Sequence, residues 1–159
     1  MKDPIQQALV KEFSSLPSWE DRYKRIIEMG KALPELPEKF KTEDLKVKGC
    51  QSQVWLVANL ENATGASHET DKAESESAEQ PVRKVIEFQA DSDALIVKGL
   101  IAILLKVYSG RTPKEILEIQ PDFIAELGFG SNLSPSRANG LQAMVKQIKY
   151  YALAFSYKS

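Results

Sequence analysis

The sequence predicts an α+β protein in which a small antiparallel sheet of about three short strands is covered by helices. Three observations predict it. Strand-like patterning with one apolar face lies in the middle of the chain, at residues 53–60 and 82–90. Helical spacing with capping signals fills both flanks. The segment ALIVKGLIAILLKVY, residues 94–108, is apolar nearly all round, as expected of a central buried helix.

Residues 4–13 read as a short amphipathic helix with Ile5, Leu9 and Phe13 on one face. Ser18 is an N-cap candidate with Asp21 three residues on, opening a helix over 19–33 that places Tyr23, Ile26, Ile27 and Gly30 together. Pro34 and Pro37 end it. Residues 46–48 read as a short strand. In the strand at 53–60, Val54, Leu56, Ala58 and Leu60 face one way, and Gln53, Trp55, Val57 and Asn59 the other. Its antiparallel partner at 82–90 turns Ile86, Phe88 and Ala90 to the core.

The stretch between these strands, about 61–81, is rich in Glu, Ser and Ala and has no large apolar side chain. It cannot bury a core and is expected to be a flexible acidic insertion at a hairpin tip. Asp91, Ser92 and Asp93 offer capping oxygens to the helix at 94–108, where Gly99 signals close approach of another backbone. Thr112-Pro113 starts a short helix, and another covers 122–127. Gly128 and Gly130 then break the chain. Ser134-Pro135 opens a long final helix to about residue 155, with Leu141, Met144, Val145, Ile148, Ala152 and Phe155 as its buried stripe.

Composition narrows the function. The 159 residues suit one domain, 1–159, and are 43% hydrophobic and 27% charged. A net charge of −1 gives no field that would select nucleic acid or an anionic membrane. The start, MKDPIQQALVKEF, lacks the apolar segment of a secretory leader, and a lone thiol fits a reducing, cytoplasmic setting. One cysteine and one histidine are too few soft ligands for a zinc or iron–sulfur site. His68 lies in the polar insertion and reads as a solvated loop residue.

Cys50, in GCQSQVW (49–55), is the notable residue. A free cysteine is often a small buried hydrophobe. Here, however, Lys48 and Gln51 make the flanks polar, and Gly49 permits the backbone angles of a loop tip just before a strand. A protease-like role needs a positioned histidine base, and only His68 exists. A thiolate can instead be stabilised by a cation or a helix N-terminus. Arg137, in the first turn after Ser134-Pro135, is a candidate cation, with a plain surface arginine as its alternative.

GCQSQVW, DSDALIVKGLIA (91–102) and LSPSRANGLQAM (133–144), in this order, closely resemble the motifs of the SufE family, over about residues 4–151. The acidic insertion is the one departure, since family members have a short turn there. The resemblance implies a fold shared with IscU-type scaffold proteins. It implies that Cys50 is the acceptor that receives sulfur as a persulfide from a PLP-dependent cysteine desulfurase of the SufS or CsdA type. Transfer would also stimulate the desulfurase, and a SufBCD-type assembly complex would receive the sulfur for iron–sulfur clusters. Asp93 matches a family aspartate near the cysteine, and Arg137 an arginine near the desulfurase interface. Gly49, Gln51 and Ser52 would form the supporting loop. PLP would belong to the partner, and this chain would need no cofactor or metal of its own.

The residues fit such a carrier. Sulfur exchange needs a reachable, low-pKa thiol and no base in the same chain. A second cysteine would discharge the persulfide as a disulfide, and a scaffold would need several ligands. A stored persulfide needs shielding, so an apolar pocket walled by Val54, Leu100 and Leu141 is expected beneath Cys50. The alternatives are a stand-alone cysteine-dependent enzyme and a purely structural interaction module in which Cys50 is incidental.

Overall fold

A computed structural model describes residues 3–49, 52–62 and 84–157. The chain begins with α1 (Pro4–Ser14) and α2 (Trp19–Ala32). Two single 3-10 turns, Glu38–Phe40 and Glu43–Leu45, carry it to β1 (Val54–Asn62) and β2 (Lys84–Ser92). Five helices follow: α3 (Leu95–Tyr108), α4 (Pro113–Glu118), α5 (Asp122–Glu126), α6 (Phe129–Asn132) and α7 (Pro135–Ser156).

The α+β class holds, but the sheet has two strands among the described residues, not three. The expected strand at 46–48 is reduced to one bridge, Lys46 with Trp55, because a 3-10 turn leads directly into it and Gly49 turns away after it. β1 and β2 pair antiparallel from Val54 opposite Ser92 to Asn62 opposite Lys84. Glu61 and Asn62 are therefore strand residues, not insertion. Residues 63–83, with His68 and the start of the expected strand at 82, lie outside the described residues.

The expected core face of the sheet is observed. Leu56 pairs with Ala90 and Leu60 with Ile86, and Val54, Leu56, Ile86, Phe88 and Ala90 are buried. Val57 and Val85 are buried as well, so the opposite face is partly covered. There Lys41 lies over the Trp55 ring, 5.7 Å from its centroid.

α3 runs through the middle of the molecule with nine buried residues, in keeping with its all-round apolarity. It crosses α2 at closest backbone approach. A Cβ on Gly99 would overlap the Ile26 carbonyl oxygen, and one on Gly30 would stand 2.7 Å from the Gly99 nitrogen. Gly99 thus marks a backbone contact, as its place in an apolar helix suggests.

The caps are largely as expected. Ser18, Thr112 and Ser134 each accept a backbone N–H in the first turn of α2, α4 and α7, and Thr112 with Glu115 forms a full capping box. Three expectations change. In α1 the buried face holds Gln6, Leu9 and Phe13, while Ile5 is exposed. Gln6 can be buried because both ends of its amide are satisfied: it donates to the Gln120 carbonyl and accepts from the Phe123 N–H, each at 2.9 Å. Gly128, at φ 79°, starts α6 rather than merely breaking the chain, and Gly130 falls inside that helix. At α3 no side chain caps the first turn: the N-cap is Ala94, and the Ser92 hydroxyl accepts from the N–H of Ala94 itself at 3.2 Å.

Asp91 is instead a buried structural charge. It accepts from the Leu36 and Ser92 N–H groups, at 3.1 and 2.8 Å, and lies 3.4 Å from each of the Lys41 and Lys98 ammonium groups. Burial pushes its pKa up, but these backbone donors and Lys98 outweigh that and hold it below the ordinary value. The same contacts tie the 33–41 connection to the end of β2.

Candidate functional site

The loop between Val47 and Val54 carries the sole cysteine of the sequence. Its neck is closed by the Val47 N–H donating to the Val54 carbonyl at 2.8 Å. Cys50 and Gln51 lie outside the described residues, and their neighbours define the surroundings. Gly49 adopts φ 90°, a left-handed conformation that a side chain disfavours. Its α-carbon faces α7 so closely that a Cβ would meet the Ala143 methyl at 3.2 Å. On the other side of the cysteine, Ser52 forms part of a cavity wall.

That cavity has a volume of about 280 Å³. Val97, Leu100 and Met144 supply its apolar surface, and Ser52, Ser134, Ser136 and Arg137 its polar rim. It lies where α3 meets the first turns of α7. Of the expected pocket walls, only Leu100 lines it. Val54 is turned by strand alternation into a separate gap of about 10 Å³ between the sheet, α3 and α7, and Leu141 is packed in the core with 1% exposure.

Arg137 is held from two directions. Its backbone N–H donates to the Ser134 hydroxyl at 3.3 Å, which satisfies one of the open amides of the helix start. Its Nη1 donates to the Tyr23 hydroxyl, also at 3.3 Å, across the gap to α2. Among the described residues no carboxylate pairs with it.

Asp93 anchors the outgoing arm of the loop. Its Oδ1 accepts from the Gln53 N–H at 3.1 Å and its Oδ2 from the Gln53 amide at 3.4 Å, while its own N–H donates to the Gln53 carbonyl at 3.3 Å. Gln53 is thereby paired on its backbone and side chain by one residue at the entry to α3.

Of the residues expected at the site, Ser52 and Arg137 line one cavity, Gly49 abuts the helix that forms its wall, and Asp93 holds the arm beside it. Sequence reasoning missed Tyr23 as the partner of Arg137, having read it only as part of a core face. It also missed Ser136 and Gly140 in the wall. A signal for Gly140 exists: Arg137, Gly140 and Met144 fall at i, i+3 and i+7, on one helical face. No group of three or more Cys, His, Asp or Glu residues able to hold a metal occurs among the described residues. Among them, too, no helix is long and apolar enough to cross a membrane.

Comparison with known proteins agrees with the sequence motifs. The solution structure of a hypothetical protein from Thermus thermophilus has the same fold, with a TM-score of 0.69 over 97% of both chains at 22% identity. An uncharacterized SufE-like protein of Rhizobium meliloti (strain 1021) is 43% identical over 89% of both chains. An uncharacterized SufE-like protein of Rhizobium etli is 41% identical over 89% of this chain and 84% of its own length. The family model described as "SufE: Fe-S metabolism associated domain" matches residues 7–152. With that match and those identities, the chain belongs to the SufE family, and membership implies a role in Fe–S metabolism and sulfur transfer.

Proposed function

We propose that this protein is a sulfur carrier that accepts a persulfide sulfur on Cys50 from a PLP-dependent cysteine desulfurase of the SufS or CsdA type. The Cys50 thiolate attacks the terminal sulfur of the desulfurase persulfide. A new sulfur–sulfur bond forms at Cys50, the donor's sulfur–sulfur bond breaks, and the donor cysteine leaves as a thiolate. No electrons are gained or lost overall, so no external oxidant or reductant is needed. Clearing the donor persulfide stimulates the desulfurase, and the carried sulfur passes to a SufBCD-type cluster assembly complex. PLP stays with the desulfurase, and the exchange takes place in the cytoplasm.

One observation carries the reading. The residues on both sides of Cys50 are held at the same feature, Ser52 in the cavity wall and Gly49 against the helix that builds that wall. An apolar floor with a cationic rim suits a persulfide, which is anionic yet needs protection from oxidants. Asp93, by pinning Gln53, limits how far the loop moves when the carrier docks, and Arg137 offers a cation to the partner.

Intact-mass spectrometry tests this directly. Incubation with a cysteine desulfurase and cysteine should add about 32 Da, one sulfur, in a form removed by reductant and absent from Cys50→Ser. Equal sulfur loading of the Cys50→Ser protein would exclude the carrier role for this residue.

A further inference from the structure

We infer that Tyr23 is a positioning residue for sulfur transfer, fixing the Arg137 guanidinium so that its Nε and Nη2 edge is presented to an incoming carboxylate. This deepens the carrier reading and rests on it. A guanidinium has five N–H donors in a rigid fork, and it grips a carboxylate best through two parallel bonds. The Tyr23 hydroxyl takes a donor on Nη1 at 3.3 Å. Among the described residues none bonds to Nε or Nη2 of Arg137, so that edge has no described partner.

The phenol suits this task better than a carboxylate would. It is neutral, so it orients the cation without neutralising it, and the charge remains available to a partner. Its backbone is set by the crossing of α2 and α3. Tyr23 lies on α2 one turn before Ile26, which is wholly buried, and two turns before Gly30, which touches the backbone of α3. Tyr23 thus sits on the helix that crosses α3, and Val97 and Leu100 of α3 line the cavity together with Arg137. The partner chemistry that follows is an Asp or Glu side chain on the docking face of the desulfurase. Arginine side chains lose several rotamers on binding, so holding the fork in advance lowers the ordering cost at each encounter.

The test is Tyr23→Phe, which removes only the hydroxyl, measured as desulfurase turnover against carrier concentration. The half-saturating carrier concentration should rise about tenfold, the worth of one hydrogen bond to a charged group, with maximal turnover unchanged. In an Arg137→Ala background the same change should have no further effect. In the free protein, NMR should show the Arg137 Nη protons averaging faster in Tyr23→Phe than in the parent. Unchanged half-saturation in Tyr23→Phe, or equal effects with and without Arg137, would overturn the inference. Sulfur loading of Cys50 by mass spectrometry, run on the same samples, reports the carrier reading independently. Loading that depends on Cys50, with half-saturation unmoved by Tyr23→Phe, sinks only the positioning role, whereas loading that ignores Cys50 sinks the carrier reading itself.

Discussion

At the crossing of α2 and α3, Gly30 and Gly99 lack side chains because two backbones touch. At the loop before β1, Gly49 lacks one because its φ of 90° disfavours it. The aspartates divide in the same way. Asp91 is buried and binds two lysines and two backbone N–H groups, whereas the exposed Asp93 binds only Gln53 among the described residues. One glycine–aspartate set maintains the scaffold, and the other shapes the loop that carries Cys50. Residue type alone does not tell them apart. What separates them is whether neighbouring backbone or solvent surrounds the position.

Substitutions at four positions sharpen or break this division. Gly99→Ala should have the largest effect. Its Cβ cannot coexist with the Ile26 carbonyl, so the helices must separate, at a cost of about 3 kcal/mol or more in denaturant unfolding. A loss below about 1 kcal/mol would show that the crossing relaxes easily.

Asp91→Ala comes next, at about 3 kcal/mol, because it strands Lys41 and Lys98 and two backbone donors. The acid limb carries the same information. The pKa of Asp91 is lowered on folding from 3.8, so its charge contributes fully above that value. The contribution is lost as pH falls from there through the folded pKa. Asp91→Asn should therefore be less stable near neutrality and lose less on acidification. Parallel acid curves for the two proteins would contradict the assignment.

Gly49→Ala should cost only about 1–2 kcal/mol for the left-handed backbone, yet impair sulfur acceptance by far more than that loss of fold explains. Normal acceptance per folded molecule would make Gly49 a scaffold glycine like Gly99. Asp93→Ala should change stability by less than about 1 kcal/mol, since its bonds are exposed. Alkylation of Cys50 should accelerate several-fold as the arm at Gln53 is released. An unchanged alkylation rate with a lowered unfolding midpoint would move Asp93 to the scaffold set.

Much of this was legible in the sequence. The capped helix starts at Ser18, Thr112 and Ser134 depend on local chemistry, and so does the alternation that puts Leu56, Ile86 and Phe88 in the core. Gly99 was legible because a glycine inside an otherwise apolar helix usually marks the close approach of a second backbone. The roles of Gln6, Asp91 and Tyr23 were not, because each depends on a partner far along the chain. Gln6 and Phe123 are 117 positions apart, Tyr23 and Arg137 114, and Asp91 and Leu36 55, and no periodicity joins any of these pairs. The cavity was half legible: its motif residues were named, but which apolar side chains line it depends on how α3 and α7 meet.

The segment from Ser109 to Arg111 has a consequence beyond joining α3 to α4. A two-stranded ribbon has two raw margins, each a template on which a foreign strand can grow. Along β2, Gly110 donates to the Ile86 carbonyl, Arg111 accepts from the Ile86 N–H, and the Ser109 hydroxyl accepts from the Phe88 N–H. Along β1, Val47 occupies the Val54 carbonyl and the Tyr151 hydroxyl reaches that of Leu56. Arg111 is itself moored to Asp3 by two bonds of 2.9 Å, so the blocking segment is fastened to the residue that caps the first helix. Where these groups are engaged, the ribbon resists recruitment into sheets with other chains.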